Sequence, residues 1–189
     1  MPKYILHGGK EEQPSPMNDA FFDALVSEVP ENGQLLINYF ARDKQERPAL
    51  FAREKARVLK IAEVQNKNIR VVCGDLNNFE QQVNESDVIY FVGGNSKKQM
   101  ENSKQFKHLL SKNKVYAGSS SGSYLMGHAF CSDSFPEKLN EGCGVVPFNI
   151  LAHCNDPDYA EFTQDLLAKS HSTRPLLSIR EGEFVTLEY

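Results

Sequence analysis

Short apolar runs alternate along this chain with longer stretches in which apolar side chains recur at helical spacing. The first run, residues 3–7 (KYILH), meets a Gly8-Gly9 turn. Polar residues 11–16 then lead to a helix predicted over 17–29, and residues 30–33 read as a turn. Residues 34–40 (QLLINYF) are apolar or aromatic at most positions, the mark of a strand covered on both faces. The clearest helix is predicted over 48–66. Leu50, Phe51, Val58, Leu59, Ile61 and Ala62 fall at helical spacing there, with Arg, Lys and Glu between them, and Pro48 suits the first turn.

Strands are predicted over 69–73, 87–92 and 114–117, closed in turn by Gly74, by Gly93-Gly94 and by Gly118. Helices are predicted over 96–110 and 120–130. Residues 131–144, with Pro136, Gly142 and Gly144, read as loop, and 145–153 is an apolar segment holding Pro147. A helix over 157–169 and strands over 176–179 and 184–187 complete the pattern. There is no internal repeat and no linker, so one domain over residues 1–189 is expected.

Strand–helix alternation at this spacing predicts an α/β fold, a three-layer α/β/α sandwich around a mostly parallel sheet with right-handed crossovers. Such sheets place their chemistry beyond the carboxyl ends of the strands. The segments to inspect are therefore 7–9, 74–75, 93–95, 118–122, 153 and 180–181.

Composition narrows the function classes. Lys plus Arg is 21 against 25 Asp plus Glu, a net charge of −4, which offers nothing to nucleic acid or to an anionic membrane surface. The lysines at 97–98 and at 112 and 114 read as solvated faces. No apolar stretch approaches a membrane span, and Tyr4 to Leu6 is too short for a signal-peptide core, so a cytoplasmic location is expected. Cys73, Cys131, Cys143 and Cys154 form no CxxC pair and no zinc spacing, and read as reduced thiols. No phosphate-binding glycine motif occurs. No metal and no cofactor is expected.

The sharpest chemical signal is Gly118-Ser119-Ser120-Ser121-Gly122. It fits the G-x-S-x-G nucleophile elbow with Ser120 at its centre, between a predicted strand and a predicted helix. At such a turn the central Ser is held in strained geometry with its hydroxyl exposed, beside backbone N–H groups that can stabilise a developing anion. The Gly93-Gly94 pair after the strand DVIYF is a second signal. If that strand neighbours the elbow strand, an amide of Gly93 or Gly94 can join the Ser121 amide as an oxyanion donor.

The base must come from five histidines. His108 and His128 fall inside helical stretches, His128 too far along its helix to reach Ser120, and His171 follows a surface-like helix end. His7 ends the first strand, and His153 ends the apolar run VVPFNILA. Both remain candidates on the residues alone, with His153 the better placed.

VIYFVGGNS, VYAGSSSGSYLMG and GVVPFNILAHCND, in that order, resemble the peptidase E family of serine peptidases, which includes aspartyl dipeptidases and cyanophycinases. The match runs over about residues 87–155 and more loosely to the C-terminus. The resemblance implies a class I glutamine amidotransferase-like fold, a Ser-His-Glu triad, a short peptide substrate and, as in some relatives, a homodimer. Carried over, Ser120 is the nucleophile, His153 the base and Glu181, in LLSIREGEF, the acid. Asp133 is the alternative acid, near where the family has an Asp after the elbow helix. Asp156 reads as a cap for the next helix.

Ser121 and Ser123 stand where the family usually has Ala, placing extra hydroxyls near the oxyanion site. The Arg that aspartyl dipeptidases carry after the histidine has no counterpart in CNDPDYAEFTQDLLAK, so a preference for N-terminal Asp is not implied. The HGG of the first strand matches the start of an esterase oxyanion motif, but Lys10 replaces the third Gly, and it reads as a simple strand-to-helix turn. The expected activity is hydrolysis of a peptide or related amide in a small substrate. The alternatives are a catalytically silent binding member of the same fold, or an esterase. An amidotransferase would need Cys at the elbow.

Overall fold

The computed structural model describes residues 1–157, 159 and 174–188. Its elements, in chain order, are β1 (Lys3–His7), α1 (Pro16–Glu28), β2 (Gln34–Asn38), α2 (Arg47–Val64), β3 (Arg70–Cys73), α3 (Phe79–Glu85), β4 (Val88–Phe91) and α4 (Ser96–Ser103). A 3-10 turn (Lys104–Leu109), β5 (Val115–Ser119), α5 (Ser121–Met126), β6 (Ala129–Ser132), β7 (Phe135–Glu141), β8 (Asn149–Leu151), β9 (Leu176–Ser178) and β10 (Phe184–Glu188) follow. The main sheet has the order β10-β1-β5-β4-β2-β3. All neighbours in it are parallel except β10, which pairs antiparallel with β1.

Alternation along the strands explains why they read as unbroken apolar runs. Tyr4, Leu6, Leu36, Ile89, Phe91 and Tyr116 point to one face, where they pack with α3, α4 and α5 residues Phe79, Met100 and Leu125. Ile5, Leu35, Ile37, Val88, Tyr90 and Ala117 point to the other, against Phe21, Phe22 and Leu25 of α1 and Val58 of α2. Both faces are covered, so both sides of the central strands are mostly apolar. This is the mostly parallel sheet flanked by helices that the alternation predicts. Ser15 caps α1 by accepting from the Asn18 amide, and Pro16 follows it directly.

A second, four-stranded sheet with the order β7-β6-β8-β9 was not foreseen. The expected helix over 120–130 stops at Met126, and Ala129–Ser132 is a strand instead. The Gly127 amide still bonds back to Ser123 and Tyr124, but Gly127 itself is extended (φ −67°, ψ 168°), which ends the helix. Residues read as loop contain β7, paired antiparallel with β6 at the edge of the sheet. The helix expected over 96–110 tightens to a 3-10 turn after Ser103, and α3 had no prediction. The helix expected over 157–169 lies, apart from Pro157 and Tyr159, outside the described residues, as does His171. Among the described residues no helix is long and apolar enough to cross a membrane.

Candidate active site

β5 and β4 are parallel neighbours, in register at Phe91 and Gly118, so the elbow and the Gly93-Gly94 turn leave the sheet side by side. The elbow is as tight as its glycines imply. A Cβ on Gly118 would lie 2.3 Å from the Gly122 carbonyl carbon, and one on Gly122 would lie 2.1 Å from the Phe91 carbonyl oxygen. Ser120 itself sits at φ 49°, ψ −110°, a conformation that L residues rarely adopt. Its amide donates to the His7 carbonyl at 3.0 Å, so the strain is held by the neighbouring strand.

The Ser120 hydroxyl lies 2.9 Å from His153 Nε2, and His153 Nδ1 lies 2.8 Å from Glu181 Oε1. Neither His153 nor Glu181 comes from the main sheet. His153 follows β8, and Glu181 follows β9, its parallel partner. Glu181 therefore does not end a strand of the sheet that carries Ser120: two sheets meet at the site. They are joined through the turn after β1. The His153 amide donates to the Gly8 carbonyl at 3.0 Å, and the Gly8 amide donates to the Glu183 carbonyl, just before β10, at 2.9 Å.

The second oxygen of Glu181 is held by Lys10 Nζ at 2.7 Å. Burial pushes the Glu181 carboxyl up, but the Lys10 and His153 hydrogen bonds outweigh it and hold it below the ordinary carboxylate value. A carboxylate fixed at both oxygens can orient the imidazole and stabilise its charged form. Lys10 was passed over in the sequence because its partner is far away along the chain.

His7, the rival base, is fully buried and bound elsewhere. Its Nδ1 accepts from the Gly9 amide at 3.0 Å, so Nε2 carries the proton, 2.9 Å from Asn18 Oδ1. The Asn18 amide group in turn donates to the Lys10 and Gln13 carbonyls at 2.8 and 2.6 Å. Burial lowers the pKa of His7, against the pull of Glu11 and the Asn18 bond. His7 shapes the turn rather than facing Ser120. His108 is exposed beside Glu80, and His128 lies beyond the end of α5. Asp133, the alternative acid, is exposed at the rim of the cleft, and its Oδ1 accepts from the Ser134 amide at 2.8 Å rather than from His153.

Around Ser120 opens a cleft of about 380 Å³, lined among others by Lys10, Glu12, Arg42, Gly93, Gly94, Tyr124, Asp156 and Tyr159. Tyr159 Oη donates to the Cys131 carbonyl at 2.7 Å and meets Tyr124 Oη at 3.0 Å, while its ring stands edge-on to His153 at 6.0 Å. The two tyrosines make one wall, and burial pushes both phenols above their usual range. The Ser123 hydroxyl does not face the oxyanion site. It accepts from the His7 amide at 3.1 Å and lies within bonding distance of the His7 and Gly118 carbonyls, tying the elbow to β1. The Ser121 hydroxyl is buried with no partner among the described residues. Behind the elbow, Ser119 Oγ donates to the buried Glu11 carboxylate, which Tyr90 Oη also reaches at 3.3 Å. All four cysteines are free thiols, and no cluster among the described residues could hold a metal ion.

Comparison with known proteins fits this geometry. The chain is similar over 99% of its length, and over 83% of the other, to the crystal structure of a peptidase from an acI-B1 Actinobacterium, with a TM-score of 0.66 at 18% identity. That likeness is one of fold. No curated protein matches the sequence. The family model for peptidase family S51 matches residues 40–188, from the end of β2 through the elbow to the last strand. The chain therefore belongs to peptidase family S51, the serine peptidases that include peptidase E and the cyanophycinases.

Proposed function

We propose that this S51 chain hydrolyses an amide bond of a short peptide through Ser120, His153 and Glu181. The observation that carries the reading is the unbroken hydrogen-bonded series from Ser120 Oγ through both nitrogens of His153 to Glu181, at 2.9 and 2.8 Å. With Glu181 on Nδ1, the neutral ring presents Nε2 as acceptor to the Ser120 hydroxyl. Ser120 attacks the carbonyl while its proton passes to Nε2. Glu181 stabilises the imidazolium that forms, and the Gly94 (or Gly93) and Ser121 amides hold the oxyanion. His153 then gives the proton to the leaving amine. Water, activated by the same nitrogen, releases the acyl group.

A cleft of about 380 Å³ suits a small substrate. Glu12 and Asp156 at its wall suit the free ammonium of a short peptide, which favours a dipeptidase or small exopeptidase over an endopeptidase. The test is fluorophosphonate labelling read by mass spectrometry. The label should sit on Ser120, be lost in Ser120→Ala, and persist in Ser119→Ala and Ser121→Ala. Label that persists in Ser120→Ala overturns the reading.

A further inference from the structure

The segment after β2 grips the Gly93-Gly94 turn from the side away from the nucleophile. The Asn95 amide donates to the Ala41 carbonyl at 3.0 Å, and Arg42 Nε donates to the Gly93 carbonyl at 2.5 Å. Arg42 is itself fixed. Its amide donates to the Tyr39 carbonyl at 2.9 Å, and Arg47 donates twice to its carbonyl, at 3.1 and 3.0 Å. On the other side Gly93 is packed against the elbow, so close that a Cβ would lie 3.2 Å from the Ser120 Cβ and 2.9 Å from the Ser119 carbonyl oxygen.

The peptide between Gly93 and Gly94 is trans, so its N–H points opposite to its C=O. Whatever fixes the Gly93 carbonyl therefore aims the Gly94 amide. Gly94 lines the cleft, and its amide donates to no protein acceptor among the described residues. A guanidinium on the carbonyl oxygen also draws electron density through the peptide, making the N–H a stronger donor. A glycine pair has the widest backbone freedom of any dipeptide, so without a clamp this plane could rotate and withdraw the donor.

We infer that Arg42 is a positioning residue for the oxyanion site: it locks and polarises the Gly93–Gly94 peptide so that the Gly94 amide faces the carbonyl oxygen attacked by Ser120. The inference rests on the catalytic reading above and adds to it a residue that touches neither the nucleophile nor the base. Its chemistry requires a cationic donor committed to the Gly93 carbonyl, which a neutral side chain supplies only in part.

The test is the kinetics of p-nitrophenyl acetate hydrolysis by Arg42→Ala, Arg42→Gln and Arg42→Lys, with melting temperatures alongside. Losing one oxyanion donor outright costs about 10²–10³ in kcat, so a donor left unaimed should cost about 10–10². Arg42→Ala should lower kcat by that factor with KM within about twofold. Arg42→Lys, which keeps the charge, should recover most of it, and Arg42→Gln less. An unchanged kcat in Arg42→Ala overturns the inference. So does a rise in KM with kcat intact, which would make Arg42 a substrate-binding group, or a kcat loss that Arg42→Lys fails to recover. Failure of the catalytic reading itself would appear separately, as fluorophosphonate label away from Ser120 in the wild-type protein.

Discussion

Gly9 offers a direct perturbation of the His153 ring without substituting any of the three proposed catalytic residues. A Cβ there would lie 2.2 Å from His153 Cε1, 2.6 Å from Nε2 and 3.0 Å from Nδ1. Carbon atoms in contact rest at about 3.5–4.0 Å, so Gly9→Ala forces ring and methyl apart by roughly 1 Å or more. The ring has little slack, because both its nitrogens are engaged, at 2.8 and 2.9 Å. A shift of that size takes at least one contact beyond hydrogen-bonding range, and a misplacement of about 1 Å costs on the order of 10² in rate.

The substitution also has a backbone cost. Gly9 sits at φ +109°, and an L residue held in such a conformation is strained by about 1–3 kcal/mol. At roughly 2–4 °C per kcal/mol for a chain of this size, the melting temperature should fall by about 2–12 °C. The two effects separate with a control. Gly144 is also at positive φ (+63°), but the nearest atom its Cβ would meet is His128 Nδ1 at 3.4 Å, away from the site. Gly144→Ala should lose stability and keep its activity. The assay is the second-order rate of fluorophosphonate labelling, measured well below both melting temperatures. Gly9→Ala should be slower by about 10²-fold. A rate within threefold of wild type, or an equal loss in Gly144→Ala, refutes the argument.

Two further outcomes follow from Glu181. Glu181→Gln should lower kcat by about 10²–10⁴, because an amide cannot stabilise the imidazolium, whereas Asp133→Asn should cost less than about tenfold; steady-state kinetics of the two variants on one substrate decides between the carboxylates. The pH dependence of stability carries a sign. The folded pKa of Glu181 lies below its unfolded value of about 4.3, so its contribution is fully present above that value and is lost as pH falls through the folded one. The melting-temperature gap between wild type and Glu181→Gln should be widest above about pH 5 and close on acidification; a gap that widens toward acid contradicts the assigned direction.

β1, β4 and β5 were legible because they are covered on both faces, which leaves an apolar run with a glycine at its end. The second sheet was not. β6 (AFCS) follows the apolar end of α5 after only Gly127 and His128, and the helix is ended by the extended Gly127 rather than by a proline. β7 is a polar edge strand, and α3 (FEQQVNE) offers only Phe79 and Val83 to a core. Within the site, Ser120, His153 and Glu181 each follow a strand, which is a local signal. Lys10, Glu11 and Arg42 do not announce themselves, because each acts through a partner that only the tertiary fold brings near. Their charge reads as ordinary surface polarity until Glu181, Ser119 and the Gly93 carbonyl are beside them.

Ser120 beside one sheet and His153 beside another pose a problem of tolerance. A hydrogen bond fails within a few tenths of an ångström, and loops between separate sheets do not hold that distance unaided. The turn after β1 answers it. β1 pairs in register with the nucleophile strand, His7 opposite Ser119, so its end moves with the elbow. Each residue that follows then reaches a different part of the site. The Gly8 carbonyl takes the His153 amide, Gly9 makes room for the ring, Lys10 holds Glu181 and Glu11 holds Ser119. The buried His7 and Asn18 close this turn on itself through the Gly9 amide and the Lys10 carbonyl. The distance between Ser120 and His153 is therefore set by one short segment bonded to both.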